Sequence, residues 1–379
     1  MDRSFSVSIR VENRVDKHVG EPLFVAGNFN DWQPAAWQIG AVPAVGDIVT
    51  VQLNGLKAEF CEFKLTRGTW DTLACSKMGC LGESHEFRIG EESEFGVAIE
   101  GWRDDFPLST ASPQVRLLDE AFFLPTLNVH KRIWIYLPEG YSFSNDRYPV
   151  IYMHDGQHLF DEATALGRKG PVEWRVDKTI DHSVHDAIVV AIEHAHSREE
   201  RIKEYFFSPS ERFPQPRGRA YLEDILTTLK PYIDSHFRTL PDRRHTAMVG
   251  SSMGGLLTLY AGIYYPDVFG TLGVFSPSIW LDERRIFDAM VNRSPHASFQ
   301  EQYYYLYGGG RENRAKPGGG KVDMAKDVMD AIQVMENTIR PRTHMKLNPT
   351  GKHGALYWQG AFADFFEWWM GKLKVKSKK

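Results

Sequence analysis

The sequence predicts an α/β fold: a mostly parallel sheet flanked by helices, preceded by a small N-terminal β-sandwich. Three observations carry this. Only short β-type runs fill the chain before about residue 105. After about Ser112, strand-like and helix-like runs alternate. Ala187–Ile192, Ala-Ile-Val-Val-Ala-Ile, is a continuous apolar run, as a central parallel strand buried on both faces requires.

In the front part, β-type runs at Phe5–Val11, Leu23–Ala26, Ile48–Leu53 and Glu59–Thr66 are separated by turn signals such as Gly46-Asp47 and Asn54-Gly55. Arg103–Pro113 holds Asp-Asp, two prolines and Ser/Thr and reads as a linker. Beyond it, strands are expected at Val129–Leu137, Val150–Met153, Ala187–Ile192, Thr246–Val249, Thr271–Phe275, Gln302–Tyr307 and His344–Leu347. Helices are expected at Ala220–Ser235, Met253–Tyr264, Asp323–Thr338 and Ala361–Lys372. The domains are therefore residues 1–105, residues 106–372 and a basic tail at 373–379. A chain of 379 residues suits one catalytic domain of about 250 residues plus a smaller module.

Hydrophobic residues at 42% and charged residues at 25% afford a sizeable core. A formal net charge of −4 gives no electrostatic reason to expect nucleic acid or an anionic membrane as partner. No apolar stretch reaches the ~20 residues of a membrane span, and the N-terminus lacks the apolar core of a secretory signal. The expected location is the cytoplasm. Three cysteines, odd and few, fit a reducing compartment. Cys75, Cys80 and His85 lack the ligand number and spacing that zinc prefers, so no metal is expected.

Gly250-Ser251-Ser252-Met253-Gly254-Gly255 fits G-x-S-x-G and falls between an expected strand and an expected helix. A nucleophile on so sharp a turn needs small neighbours, and the helix beginning at Met253 aims its amides at a developing oxyanion. The bland reading is a glycine-rich turn packing a helix on the sheet. Ser251 fits only a shifted frame that loses the first glycine.

A serine hydroxyl needs a base. His296, His344 and His353 follow Ser252, and His353 lies just after a late strand on a glycine-flanked turn. The acid is expected after Gln302–Tyr307, where Glu312 is the first carboxylate beyond Gly308-Gly309-Gly310. Asp323 is the alternative, its plain reading being a favourable charge at a helix N-terminus. A Ser–His pair without an essential acid also remains. The glycine run lacks the G-K-[ST] ending of a phosphate loop. The oxyanion donors are expected to be the amide of Met253 and that of Gly156 or Gln157. The loop after Met153 carries that second pair, and Gly156 permits close approach of substrate. His154 and Asp155 are read as shaping this turn.

Tyr148–Phe160, Arg201–Tyr205, Val249–Leu256 and Phe275–Trp280, in this order, resemble the esterase family that includes esterase D and enterochelin esterase. The resemblance covers about residues 115–372. It implies an α/β-hydrolase fold and carboxylic ester hydrolysis by Ser252, His353 and Glu312, with no cofactor. The extra glycines at 308–310 and 318–320 suggest a lengthened acid loop. At the front, Leu23–Trp32 and, more loosely, Glu62–Trp70 resemble glycogen- and starch-binding modules.

The expected substrate is a small-molecule or glycan-linked ester. A thioesterase or peptidase on the same residues is an alternative, as is a carbohydrate-binding or scaffold protein with an inert hydrolase domain. Trp280, Trp358 and Arg201 are candidates for the substrate pocket, with core packing or a structural ion pair as the alternative. Trp32 and Trp70 are candidates for sugar contact, against a purely structural role, which we favour.

Overall fold

Val7, Ile9 and Val11 are buried at every second position of β1 (Phe5–Asn13), the period of a strand with one face in a core. Six further strands join it: β2 (Pro22–Gly27), β3 (Gln38–Ala41), β4 (Ile48–Leu56), β5 (Phe60–Thr66), β6 (His85–Arg88) and β7 (Glu94–Ile99). They form two sheets, β4-β1-β7 and β3-β2-β5-β6. Leu23 and Val25 of β2 and Phe63 and Leu65 of β5 meet Ile9, Leu53 and Ile99 in one apolar cluster, which makes a sandwich.

The computed structural model describes residues 5–56, 60–88, 94–167, 169–209, 213–293, 299, 301–315 and 321–373. His296, the glycines at 318–320 and the tail beyond Leu373 lie outside them. The chain divides into two compact units, Met1–Thr110 with Glu162–Val172, and Ala111–Asp161 with Glu173–Lys379.

The segment 162–172 is an integral part of the first unit. Arg103, inside the stretch read as a linker, is buried and donates from Nε to Glu162 at 2.7 Å. Lys169 pairs with Glu62 and lies over the Trp32 ring at 5.1 Å. Trp32, a candidate sugar contact, is only 4% exposed and presents no face for a sugar ring to stack on. Trp70, the other candidate, is part-buried against the Leu73, Cys75 and Leu81 cluster, and Gly170 lies against its ring. Both tryptophans pack inside the unit. Burial pushes the Cys61 thiol up to about 11 and the Cys75 thiol up to about 12.

The second unit contains β8 (Val115–Leu124), β9 (Val129–Tyr136), β10 (Val150–Met153), β11 (Ile188–Ile192), β12 (Thr246–Ser251), β13 (Thr271–Phe275), β14 (Tyr303–Gly309) and β15 (Arg342–Asn348). Their order is β8-β9-β11-β10-β12-β13-β14-β15. β8 pairs antiparallel with β9, and β9 with β11; every later pairing is parallel. This is the mostly parallel sheet of an α/β-hydrolase. All residues of β10, β11, β12 and β13 are buried. The helices include α1 (Val176–His182), α2 (Arg198–Tyr205), α3 (Met253–Tyr264), α4 (Met324–Asn337) and α5 (Ala355–Leu373). Among the described residues no helix is long and apolar enough to cross a membrane.

Two departures from the sequence expectation have local causes. β8 is an outer strand with mostly exposed or half-exposed side chains, so it carries no buried apolar signal. The helix expected at Ala220–Ser235 is interrupted by a π turn at Ile225–Leu229, just before Pro231, whose missing N–H cannot continue the regular ladder.

β10 is the topological switch point. The chain leaves it for β11 on one side and reaches β12 on the other. Ligands of open parallel sheets sit beyond the carboxyl ends of the strands at such a point. On β9, which β11 separates from β10, Lys131 reaches both carboxylate oxygens of Glu204 in α2, at 2.6 and 2.7 Å, and both residues are buried. Lys131→Met is expected to destabilise the second unit by about 3–5 kcal/mol, because it leaves a buried charge uncompensated. The double variant Lys131→Met/Glu204→Leu should recover part of that loss. Urea unfolding followed by tryptophan fluorescence reads both.

Candidate active site

Ser252 lies at φ 54°, ψ −118°, between the last residue of β12 and the first of α3. Such a turn costs a residue with a Cβ about 1–3 kcal/mol and persists only where its surroundings enforce it. Backbone hydrogen bonds do so: Ser252 N–H donates to Phe275 O at 2.9 Å, and Ser278 N–H donates to Ser252 O at 2.9 Å. Gly250 is required because a Cβ there would stand 2.6 Å from the Gly254 backbone and 2.7 Å from the His154 ring.

The carboxyl ends of four adjacent strands bring the remaining groups together. His353, between β15 and α5, places Nε2 3.1 Å from Ser252 Oγ. Glu312, just after β14, places Oε2 3.5 Å from His353 Nδ1. The glycines before Glu312 serve this approach: a Cβ on Gly309 would strike Gly351 O, and one on Gly310 would lie 2.6 Å from Pro349 O. The acid and histidine loops are then joined through Gly310 N–H to Asn348 O at 2.8 Å and Arg311 N–H to Gly351 O at 2.9 Å. Asp323, the alternative acid, caps α4 by accepting from Lys326 N–H at 3.0 Å. His344 stacks between Tyr305 and Trp368.

Sequence reasoning did not assign two serines after β13. Ser276 is buried and strained at φ 45°; its hydroxyl donates to Glu312 Oε1 at 2.7 Å and accepts from Trp358 Nε1–H at 3.0 Å. Ser278 places its hydroxyl 3.0 Å from Ser252 Oγ. Both stand in the Phe275–Trp280 stretch, whose position directly after a buried strand is the signal that could have found them. Trp358, a candidate for the substrate pocket, is 8% exposed, donates to Ser276 and meets the His353 ring edge-on at 5.0 Å. Trp280 is half-buried in the short turn Ile279–Asp282, with its indole nitrogen covered.

Met253 opens α3, and Gly156 and Gln157 open the short turn Gly156–His158 after β10. Packing against β11 by itself requires a glycine at 156. A Cβ there would lie 2.8 Å from the Ala191 backbone and 2.9 Å from that of Ile192. Asp155, in the left-handed region at φ 59°, sets this turn. Arg201, a pocket candidate, grips Asp155 with Nε at 2.7 Å and Nη2 at 2.9 Å, so its role is to hold the loop. Tyr205 Oη accepts from Asp155 N–H at 3.1 Å. Arg201, Glu204 and Tyr205 lie at i, i+3 and i+4 of α2, on one helix face. Lys131 anchors that face to the sheet while the face holds the loop.

Burial alone would raise the Asp155 pKa. The Arg201 guanidinium outweighs burial through its charge and two hydrogen bonds, and holds the carboxyl well below the usual range. Burial lowers the His154 imidazole to about 4, so it stands neutral, with Nδ1 3.1 Å from Tyr221 Oη. A depressed folded pKa stabilises the fold above the ordinary carboxylate value of about 3.9, and that stabilisation is lost as pH falls through the folded value. In Arg201→Met burial, the largest influence, is opposed only by the smaller effects of His194 and His158, so the Asp155 pKa is expected to rise and the sign to reverse. The variant is expected to lose about 3–5 kcal/mol at pH 7 and to approach wild type as pH falls towards 4.5. Thermal unfolding at the two pH values checks this.

Residues 125–368, more than half of the chain, match the family described as "Putative esterase". The chain is 29% identical over 159 residues to the uncharacterized protein YbbA of Bacillus subtilis, a match spanning 40% of this chain and 59% of that protein. It is 25% identical over 262 residues to the iron(III) enterobactin esterase of Dickeya dadantii, spanning 64% of this chain and 52% of that one. The enterochelin esterase of Shigella flexneri shares the fold with a TM-score of 0.54 at 14% identity, over 99% of this chain and 95% of its own. A strained serine on a strand-to-helix turn, a histidine and a carboxylate on neighbouring strand ends, and a family match that spans the sheet from β9 to β15 agree: the chain belongs to the "Putative esterase" family of α/β-hydrolases.

Proposed function

We propose that the protein is a serine carboxylic ester hydrolase that works through an acyl intermediate on Ser252. The observation that carries this is the 3.1 Å contact between Ser252 Oγ and His353 Nε2, with Glu312 behind the imidazole. With the Nδ1 proton facing Glu312, Nε2 turns its lone pair to the serine proton. Oγ then bonds to the ester carbon and the carbonyl oxygen becomes an oxyanion. The amides of Met253 and of Gly156 or Gln157 are the donors suited to it. The proton on Nε2 passes to the leaving alkoxide, which departs as the alcohol. Water repeats the sequence on the acyl-serine and releases the acid.

The substrate class proposed is a small ester with a polar or phenolic part. The enterobactin esterase among its relatives supports this. A hydrolysis screen of nitrophenyl esters beside feruloyl, acetyl-sugar and siderophore esters would identify the acyl part.

A fluorophosphonate probe should add one label to wild type and none to Ser252→Ala. Labelling that persists in the variant, or that maps to Ser251, would overturn the reading. His353→Ala is expected to lose roughly 10³-fold or more in kcat/KM. Glu312→Ala should lose less, because the imidazole still reaches Ser252 when less well oriented.

A further inference from the structure

We infer that Ser278 is a further catalytic residue, a hydroxyl that donates to Ser252 Oγ whenever that oxygen carries negative charge. This rests on the esterase reading and adds to it a group on the reacting oxygen itself.

Among the described residues, Ser252 Oγ has two hydrogen-bonding neighbours, His353 Nε2 at 3.1 Å and Ser278 Oγ at 3.0 Å. A serine carries one hydroxyl proton. For attack, that proton must point at Nε2, since only the imidazole can take it. The Ser252–Ser278 contact then has one consistent direction: Ser278 donates and Ser252 accepts. In the reverse direction His353 would face no proton and the serine would be at rest.

The four directions around Oγ are thereby used. One is the bond to Cβ, one the O–H aimed at His353, and one a lone pair held by Ser278. The last lone pair is left for the ester carbon. As the O–H bond breaks to form N–H on His353, charge grows on Oγ and the Ser278 bond strengthens. Ser278 keeps its own proton throughout. Once the acyl group is attached, Oγ is an ester oxygen and a poor acceptor, so the bond weakens. It returns in deacylation, when Oγ leaves the tetrahedral carbon with an electron pair and recovers its proton from His353. Stabilisation that is stronger in the charged states than at rest accelerates both halves of the reaction rather than tightening ground-state binding.

The hydroxyl is built to stay there. Ser278 is 3% exposed. Its N–H is bonded to Ser252 O, while Ser252 N–H is bonded to Phe275 O three residues before Ser278. The two turns are therefore linked by a reciprocal pair of backbone bonds that fixes one hydroxyl against the other.

The test compares Ser278→Thr with Ser278→Val in the full-length protein. The two side chains have nearly the same shape and differ in the hydroxyl. The reaction measured is phosphonylation of Ser252 by a fluorophosphonate, followed by intact mass, together with the hydrolysis of nitrophenyl acetate. Rates are taken at a pH where they no longer rise, so that the protonation state of His353 does not enter. Ser278→Val should label about 10- to 100-fold more slowly than Ser278→Thr, the worth of a hydrogen bond to a charged group. Hydrolysis should show the loss in kcat with KM little changed. Equal rates for the two variants, with wild type labelled at Ser252, would overturn the role of Ser278 and leave the esterase reading standing. A wild type unlabelled at Ser252 would overturn both.

Discussion

Ser252 is held at backbone angles that a residue with a side chain adopts only under compulsion. What compels it is built on the parallel sheet. β12 and β13 lie side by side with Ser251 opposite Phe275, and this register lets Ser252 N–H reach Phe275 O. The next turn of α3 contributes Leu256 N–H to Ser252 O at 3.1 Å, and Ser278 N–H binds the same oxygen. A shift of one residue between these strands would remove the bonds and release the turn. The hydroxyl stays aimed because the whole sheet opposes relaxation of a single residue.

Around that point the groups are delivered in sequence order by adjacent strand ends. β12 leads to Ser252, β13 to Ser276 and Ser278, β14 to Glu312 and β15 to His353. Each group stands close behind its strand, and backbone hydrogen bonds join the serine turn to the stretch after β13 and the start of the acid loop to the histidine loop, so each group is set by its strand rather than by loop entropy. Behind the carboxylate, Ser276, itself held by the Trp358 indole, donates to Glu312 Oε1 and leaves Oε2 to face the imidazole. A carboxylate fixed on one oxygen can orient a histidine through the other without itself turning.

The other wall depends on buried charge. α2 is eight residues long, too short to be stable by propensity alone. Two ion pairs fasten it, Lys131–Glu204 to the sheet and Arg201–Asp155 to the turn that carries Gly156 and Gln157. Buried pairs of this kind add little net stability over apolar packing, yet losing one partner is costly. Their contribution is geometric: they hold a left-handed Asp155 and the amides that follow it.

The sequence alone determined the class of fold, and it marked the serine turn, the histidine loop and Glu312 as the candidates for the site. These follow from local rules: continuous apolar runs for buried strands, glycines around a sharp turn, polar residues directly after a strand. Other features depend on residues far apart in sequence meeting in space. Arg201 and Asp155 are 46 residues apart, and nothing near either shows that they pair. Trp358 lies 82 residues from the Ser276 hydroxyl it binds, which makes it a positioning group where its place beside His353 suggested a pocket wall. Trp32 follows a β-run on a turn, as a sugar-binding tryptophan would, and only the return of Lys169 across its ring shows that it is packed. Local chemistry specifies which residue types stand at which strand ends. The tertiary structure decides which of them touch, because contact across tens of residues is set by strand order and register.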